Sequence, residues 1–185
     1  SPHIWHGQAR RRRYGDEDEK ERRSGLNYFA TGLRATWAVA FLCVTLSLAP
    51  PLQAQQELPL ETLAIETSAG KRLFQVEVAR NQEQRAVGLM WRTHMEPDRG
   101  MLFIFDIVRH VTMWMQNTPL SLDMLFITED GEVASIAAHT TPYSTDRISS
   151  EVKVGAVLEL IAGSAERLGI APGDTVRHSL FGNPP

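Results

Sequence analysis

Asp123 is the residue that most needs explaining. It lies between Leu122 and Met124 in an otherwise apolar run from Leu120 to Ile127, and an unpaired charge is costly to bury. Other groups capable of chemistry stand close by in sequence. A first arm carries Met113, Trp114 and Met115, a polar turn carries Gln116, Asn117, Thr118 and Pro119, and the second arm carries Asp123. With Arg85 or Arg92 supplying charge, Trp114, Asn117, Thr118 and Asp123 could line a small ligand site. The plainer alternative is a structural network. There Asp123 accepts from backbone amides or an arginine, with Ser121 able to donate to it, and Asn117 makes the turn by local hydrogen bonding. Buried polar groups are generally satisfied locally, so the network is the stronger expectation, with Arg85 or Arg92 as the cationic partner.

Two other chemistries are open. All six methionines fall between Met90 and Met124, and Met113-x-Met115 puts two thioethers on one strand face. In an exported protein such a pair could hold Cu(I), with His94 or His110 helping. Adaptable core packing explains methionines equally well. A hydrolase-like enzyme could use Asp123 as general base with His139 as partner. Nothing in the sequence fixes their geometry. His94, His110, His139 and His178 lack a metal-ligand spacing, Ser144 has no nucleophile-elbow context, and no phosphate loop or dinucleotide fingerprint occurs. No cofactor and no resident metal are therefore expected.

The elements that would position these residues begin well inside the 185-residue chain. Residues 1–32 form a charged leader, with Arg10 to Arg13, Asp16 to Glu19 and Lys20 to Arg23 and little that is apolar. Such a segment cannot bury enough surface to offset its ordering entropy, so disorder is expected. No methionine precedes Met90, so this leader need not belong to the working protein. Residues 33–54 read as a signal peptide. Arg34 precedes an uncharged run of 13 residues, Trp37 to Ala49, too short for the roughly 20 of a membrane span and within the roughly 7–15 of a signal core. Pro50 and Pro51 end it, and Ala54 offers a cleavage position. An uncleaved anchor is the alternative.

Cleavage after Ala54 would leave 11 basic and 17 acidic residues, a net charge of −6. An acidic domain argues against nucleic acid as a partner. The single cysteine, Cys43, falls in the leader, so the remainder can form no disulfide and no thiolate site.

Residues 55–70 form a lead-in and first strand, with a turn at Ser68-Ala69-Gly70. Leu73–Ala79 alternates as a half-buried strand does. Asn81 and Gln84 make a capping box for a helix over 82–91, in which Gly88 hints at close packing. Gly100 opens an apolar strand, Met101–Phe105. The strands 111–115 and 120–127 follow, then an Asp130-Gly131 hairpin turn and a return strand over 132–138. Residues 152–161 read as a strand with a bulge at Gly155, Ser164 as the N-cap of a short second helix, and 175–181 as a last strand. The inventory is mainly β with two short helices, spaced as in a barrel or sandwich.

Several blocks in order, Arg85-x-x-Gly88-Leu89-Met90-x-Arg92, Gly100-Met-Leu-Phe103, Met113-Trp-Met-x-Asn-Thr118, Leu122-Asp123 and Leu158-Glu-Leu-x-Ala-Gly163, resemble the uncharacterised domain family DUF192, also called UPF0127. The resemblance covers about residues 70–181. It implies a small β-barrel-like single domain over 71–185, behind a signal peptide, and it implies no activity. Two positions depart from the family's habit: Gln116, where a lysine is common, and Gly155, where a larger residue is usual. If that lysine binds an anion, this chain should bind one poorly through position 116.

The expectation is a periplasmic or secreted binding or interaction module, with an unknown small ligand or envelope protein as partner and no stable membrane span after cleavage. N-terminal sequencing of the protein recovered from the cell envelope should begin near Gln55. Recovery of Trp37 intact in the membrane fraction would overturn the signal-peptide assignment.

Overall fold

The computed structural model describes residues 57–185, so the expected leader and signal peptide lie outside the described residues. Nine strands form: β1 (Leu60–Thr67), β2 (Gly70–Ala79), β3 (Arg99–Arg109), β4 (Thr112–Met113), β5 (Leu122–Ile127), β6 (Val133–Ala137), β7 (Ile148–Ser149), β8 (Val154–Ile161) and β9 (Thr175–Arg177). Two short helices join them, α1 (Gln82–Val87) and α2 (Ser164–Leu168), with a 3-10 turn at Ser179–Phe181. Seven strands make one curled, half-barrel sheet in the order β6-β5-β8-β3-β2-β1-β9, and β4 pairs with β7 apart from it. Only β2 and β3 run parallel, joined by a crossover that contains α1. The two edge strands converge at one corner. Glu132 bridges Thr175 there, and Val133 N–H donates to the Asp174 carbonyl at 2.9 Å.

Much of this follows from local chemistry. The Ser68-Ala69 loop closes β1 on β2, with Thr67 opposite Gly70. The Asn81 side chain accepts from Gln84 N–H, and the Gln84 side chain accepts from Asn81 N–H. At the β5–β6 hairpin Gly131 takes φ +86°, a conformation glycine adopts without a Cβ clash.

The sheet buries apolar side chains on both faces. Inside the curl lie Leu63, Ile65, Phe74, Leu102, Leu125 and Leu158. On the other face Met101, Phe103, Met115, Met124, Phe126 and Val157 form a second core beneath the 110–150 segments. β5 and β8 sit between these two cores, and all six residues of β5 are buried.

Four expectations need correction. The helix ends at Val87 instead of running to residue 91, because Gly88 turns at φ +49° and its backbone lies against Phe103. A Cβ there would stand 3.1 Å from Phe103 Cζ. Second, the strand expected over 111–115 is only two residues long: Thr112 and Met113 pair with Ser149 and Ile148, while β5 pairs with β6 and β8. Third, the last strand stops at Arg177 and gives way to the 3-10 turn. Fourth, Ser164 is not the N-cap of α2. Gly163 holds that position, at φ +80° and without a capping side chain. The lead-in strand β1 lies within the sheet, between β2 and β9, so residues 60–67 belong to the same fold as residues 71–185.

The missing cap comes from Asp123, on a different strand. Its Oδ2 accepts Ala165 N–H at 2.9 Å and its Oδ1 accepts His139 N–H at 3.0 Å. These amides are the partners of the buried carboxylate, in place of the expected Arg85 or Arg92, and Ser121 donates to the Thr140 carbonyl instead. Asp123 therefore ties β5 to the start of α2 and to the 139 loop. Asp123→Asn puts an amide group against one backbone N–H. Denaturant unfolding should show a loss of about 1–3 kcal/mol, and an unchanged midpoint would refute this bridging role.

Candidate functional site

Three carboxyl side chains are buried in the sheet, Glu77, Asp123 and Glu159, and they are satisfied very differently. Glu77 on β2 pairs with Arg92 through both oxygens, with Nη2 to Oε2 at 2.8 Å, and also accepts Leu58 N–H at 2.6 Å. Asp123 has its two backbone amides. Glu159 on β8 makes no hydrogen bond and no ion pair among the described residues, although only 4% of its surface is exposed. Every fully sealed side-chain nitrogen or oxygen of the described residues has a partner. The Glu159 oxygens are therefore not sealed, and the space they open into is a cleft of about 580 Å³.

The neighbours across the sheet from Glu159 are Met101 on β3 and Met124 on β5. Both are apolar, and burial pushes the Glu159 pKa up from 4.5 to about 8. The group is thus a neutral carboxylic acid at neutral pH, offering one O–H donor and acceptor capacity beside it.

Three segments make the cleft walls. α1 supplies Arg85 and Ala86, and the chain leaving it supplies Gly88, Leu89 and Met90. β3 supplies Phe103, Phe105, Asp106, Ile107 and Arg109. The third wall is Thr112, Met113, Trp114, Gln116 and Thr118. The β3 wall comes from a bulge. Ile104 pairs with Ala156 and Arg109 with Val154, so four residues of β3 face Gly155 alone. The expected irregularity at Gly155 is present, with the extra residues on the partner strand. Such a bulge re-aims side chains, here Phe105, Asp106 and Ile107, toward the cleft.

Charge gathers at the mouth. Arg85 donates to the Ile104 carbonyl at 2.8 Å and the Arg80 carbonyl at 2.9 Å, and its Nη2 is 3.5 Å from Asp106. The Arg85 and Arg109 guanidinium carbons lie 5.7 Å and 5.4 Å from the Phe105 ring centre, within cation–π range. Trp114 and Ile107 are exposed there, at 52% and 74%.

The residues expected at a site divide into two groups. Arg85, Trp114 and Thr118 line the cleft, whereas Arg92, Asn117 and Asp123 are not among its lining residues. Arg92 serves Glu77. Asn117 sits at φ +58° and directs its side-chain amide to Met90 Sδ at 3.8 Å, while its carbonyl accepts Trp91 N–H. These contacts reach across to the 90–91 segment, while the turn itself is closed by Thr118 N–H to the Met115 carbonyl at 3.1 Å. The His139 ring is 61% exposed and lies 3.9 Å from Glu166, so only its backbone N–H meets Asp123. The base-and-partner geometry of the hydrolase reading is not formed. Met113 faces the cleft, but Met115 is 1% exposed in the second core. No group of three or more histidine, cysteine or acidic side chains suited to a metal occurs among the described residues.

Glu159 is the residue that sequence reasoning passed over. The signal existed: a carboxylate inside Val157-Leu-Glu-Leu-Ile161 poses the same question as Asp123. One other buried titratable group, His178, lies outside this cleft. Burial lowers its pKa, against the opposing pull of Glu61, whose Oε2 is 3.4 Å from Nε2.

Because the folded state holds the Glu159 proton more tightly than the unfolded chain, its contribution is full below about pH 4.5 and is lost as pH rises through about 8. Wild-type stability should therefore fall between about pH 5 and about pH 9 by on the order of 4 kcal/mol at most from this group. Glu159→Gln should flatten that part of the profile in urea melts. Parallel profiles for the two proteins would refute the buried neutral acid.

Comparisons with known proteins agree with this architecture. The DUF192 profile, described as an uncharacterised ACR, matches residues 64–178. A crystal structure of a Sinorhizobium meliloti 1021 protein, titled a candidate transcription regulator, is 43% identical with a TM-score of 0.66, covering 68% of this chain and 98% of that one. A protein of unknown function from Novosphingobium aromaticivorans DSM 12444 is 37% identical with a TM-score of 0.64, covering 65% of this chain and 86% of that one. No curated protein matches. With a family match over most of residues 57–185 and the same fold in related structures, this chain belongs to the DUF192 family.

Proposed function

We propose that this chain is an exported binding protein whose ligand site is the cleft above Glu159. One observation carries the reading: a carboxyl group held in an apolar floor, without a partner among the described residues, opening into the cleft. A largely apolar concavity with a few convergent polar groups and a perturbed titratable residue is the usual form of a small-molecule site. Phe103, Phe105, Met90 and Met113 provide the apolar wall, and Trp114 at the mouth can cover an occupant.

Export rests on the Arg34 leader, its short apolar run and the absence of cysteine from residues 55–185. The candidate name of the Sinorhizobium relative would suggest DNA, but the −6 charge after Ala54 favours a small ligand for this chain. The Asp123–His139 enzyme and the Met113–Met115 copper site have no observation in their favour that a packed core does not also explain.

The test is native mass spectrometry of the protein purified from its envelope fraction, beside Glu159→Leu. Leucine suits the apolar floor, so this variant should fold and melt at least as high as wild type. Wild type should carry a stoichiometric small molecule that the variant lacks. Two empty proteins, or the same adduct on both, would refute this site.

A further inference from the structure

We propose that the cleft selects a small amphipathic anion that enters neutral end first, a carboxamide or similar paired donor–acceptor head meeting Glu159 and an acidic group meeting Arg85 and Arg109. The inference rests on the cleft being a ligand site and adds the chemistry of the occupant.

The head follows from the floor. The Glu159 carboxyl lies between Met101 and Met124 and makes no hydrogen bond and no ion pair among the described residues. The charged groups of the cleft are Arg85 on α1 and Asp106 and Arg109 on the β3 bulge. None of them pairs with Glu159, whose pKa is raised by burial. A neutral carboxyl presents O–H and C=O side by side. A primary amide presents the complementary pair, so both groups can be satisfied by two parallel hydrogen bonds. An ammonium head would need Glu159 to ionise in apolar surroundings. A plain alkyl head would leave the carboxyl unpartnered, which is unfavourable.

The other end follows from the mouth. Two guanidinium groups flank Phe105, against one carboxylate, Asp106, that is 80% exposed. Among the described residues Arg109 forms no ion pair, and its guanidinium lies over the Phe105 ring. An entering cation is repelled, and an anion is drawn in and held. This charge is supplied by positions 85 and 109, so it does not depend on the uncharged Gln116. Between head and mouth, Phe103, Met90 and Met113 offer only apolar contact.

Three probes with one chain length separate the possibilities: adipamate, with an amide head; ε-aminocaproate, with an ammonium head; and caproate, with an alkyl end. All three carry a carboxylate tail. Calorimetric titration of the ligand-stripped protein should show adipamate binding at least about tenfold more tightly than either of the others. Its affinity should fall as pH rises through the Glu159 titration. Glu159→Gln keeps a donor and an acceptor, so it should still bind adipamate but lose that pH dependence. Arg109→Gln should weaken all three probes in parallel.

Tighter binding of ε-aminocaproate or caproate would overturn the head assignment while leaving the cleft a ligand site. An undiminished affinity in Arg109→Gln would overturn the anionic tail. Failure of all three probes overturns the ligand class. The native mass spectra decide the cleft itself independently, because they need no assumption about the ligand.

Discussion

β8 is buried on both faces, and the consequences of that burial reach the rest of the molecule. It pairs with β3 on one side and β5 on the other, with the inner core against one face and the second core against the other. Its alternate side chains, Ala156, Leu158 and Leu160 against Val157 and Glu159, therefore all leave water. A strand in that position normally reads as a continuous apolar run. Glu159 is the exception, and an acid there has two physical outcomes. It can find a fixed partner, as Glu77 finds Arg92 and Asp123 finds two backbone amides, or it can stay protonated. Glu159 takes the second course because neither Met101 nor Met124 can donate to it.

The cleft exists because three departures from regular structure coincide over this face. α1 ends after six residues where Gly88 meets the Phe103 ring, so the chain turns away instead of continuing over the sheet. β3 bulges outward opposite Gly155, which lifts Phe105, Asp106 and Ile107 off the pairing surface. The 112–118 segment leaves the main sheet to pair with β7, and it is pinned by Trp91 N–H to the Asn117 carbonyl and Tyr143 N–H to the Thr118 carbonyl. The first departure is held by the packing of Gly88 on Phe103, the second by the Arg85 side chain on the Ile104 carbonyl, and the third by backbone hydrogen bonds. The walls are thus built into the fold, and an occupant need not order them on arrival.

The parts of this design that were legible in the sequence are those governed by neighbours along the chain. The Asn81–Gln84 capping box, the Ser68-Ala69 hairpin loop and the Asp130-Gly131 turn all rest on contacts a few residues apart. What stayed hidden depends on partners distant in sequence. Asp123 was visible as a problem, but its solution, Ala165 N–H, comes from 42 residues away. The strand over 111–115 was legible only as a strand, and its partner β7 lies about 36 residues on. Glu77 looked like the polar side of an alternating strand, yet a two-sided core buries both sides of β2 near Val76, Glu77 and Val78. Gly155 announced an irregularity without telling which strand would carry the extra residues.

The three buried acids also show how structure and function can be separated by physical argument. Removing the Glu77 carboxylate would break its two-oxygen pairing with Arg92, and removing that of Asp123 would strand two backbone amides. Both acids are thus explained by the fold alone. Glu159 strands nothing, because nothing among the described residues depends on its oxygens. A leucine at its position would satisfy Met101, Met124 and Phe103 without the desolvation that the carboxyl suffers. The fold therefore gives no reason for an acid at this point on β8, and above about pH 8 it works against one. Groups that weaken a fold and serve no internal partner are characteristic of binding and catalytic sites. That reasoning directs attention to the cleft over Glu159 and away from Asp123, which is the more conspicuous carboxylate in the sequence and the better explained one in the structure.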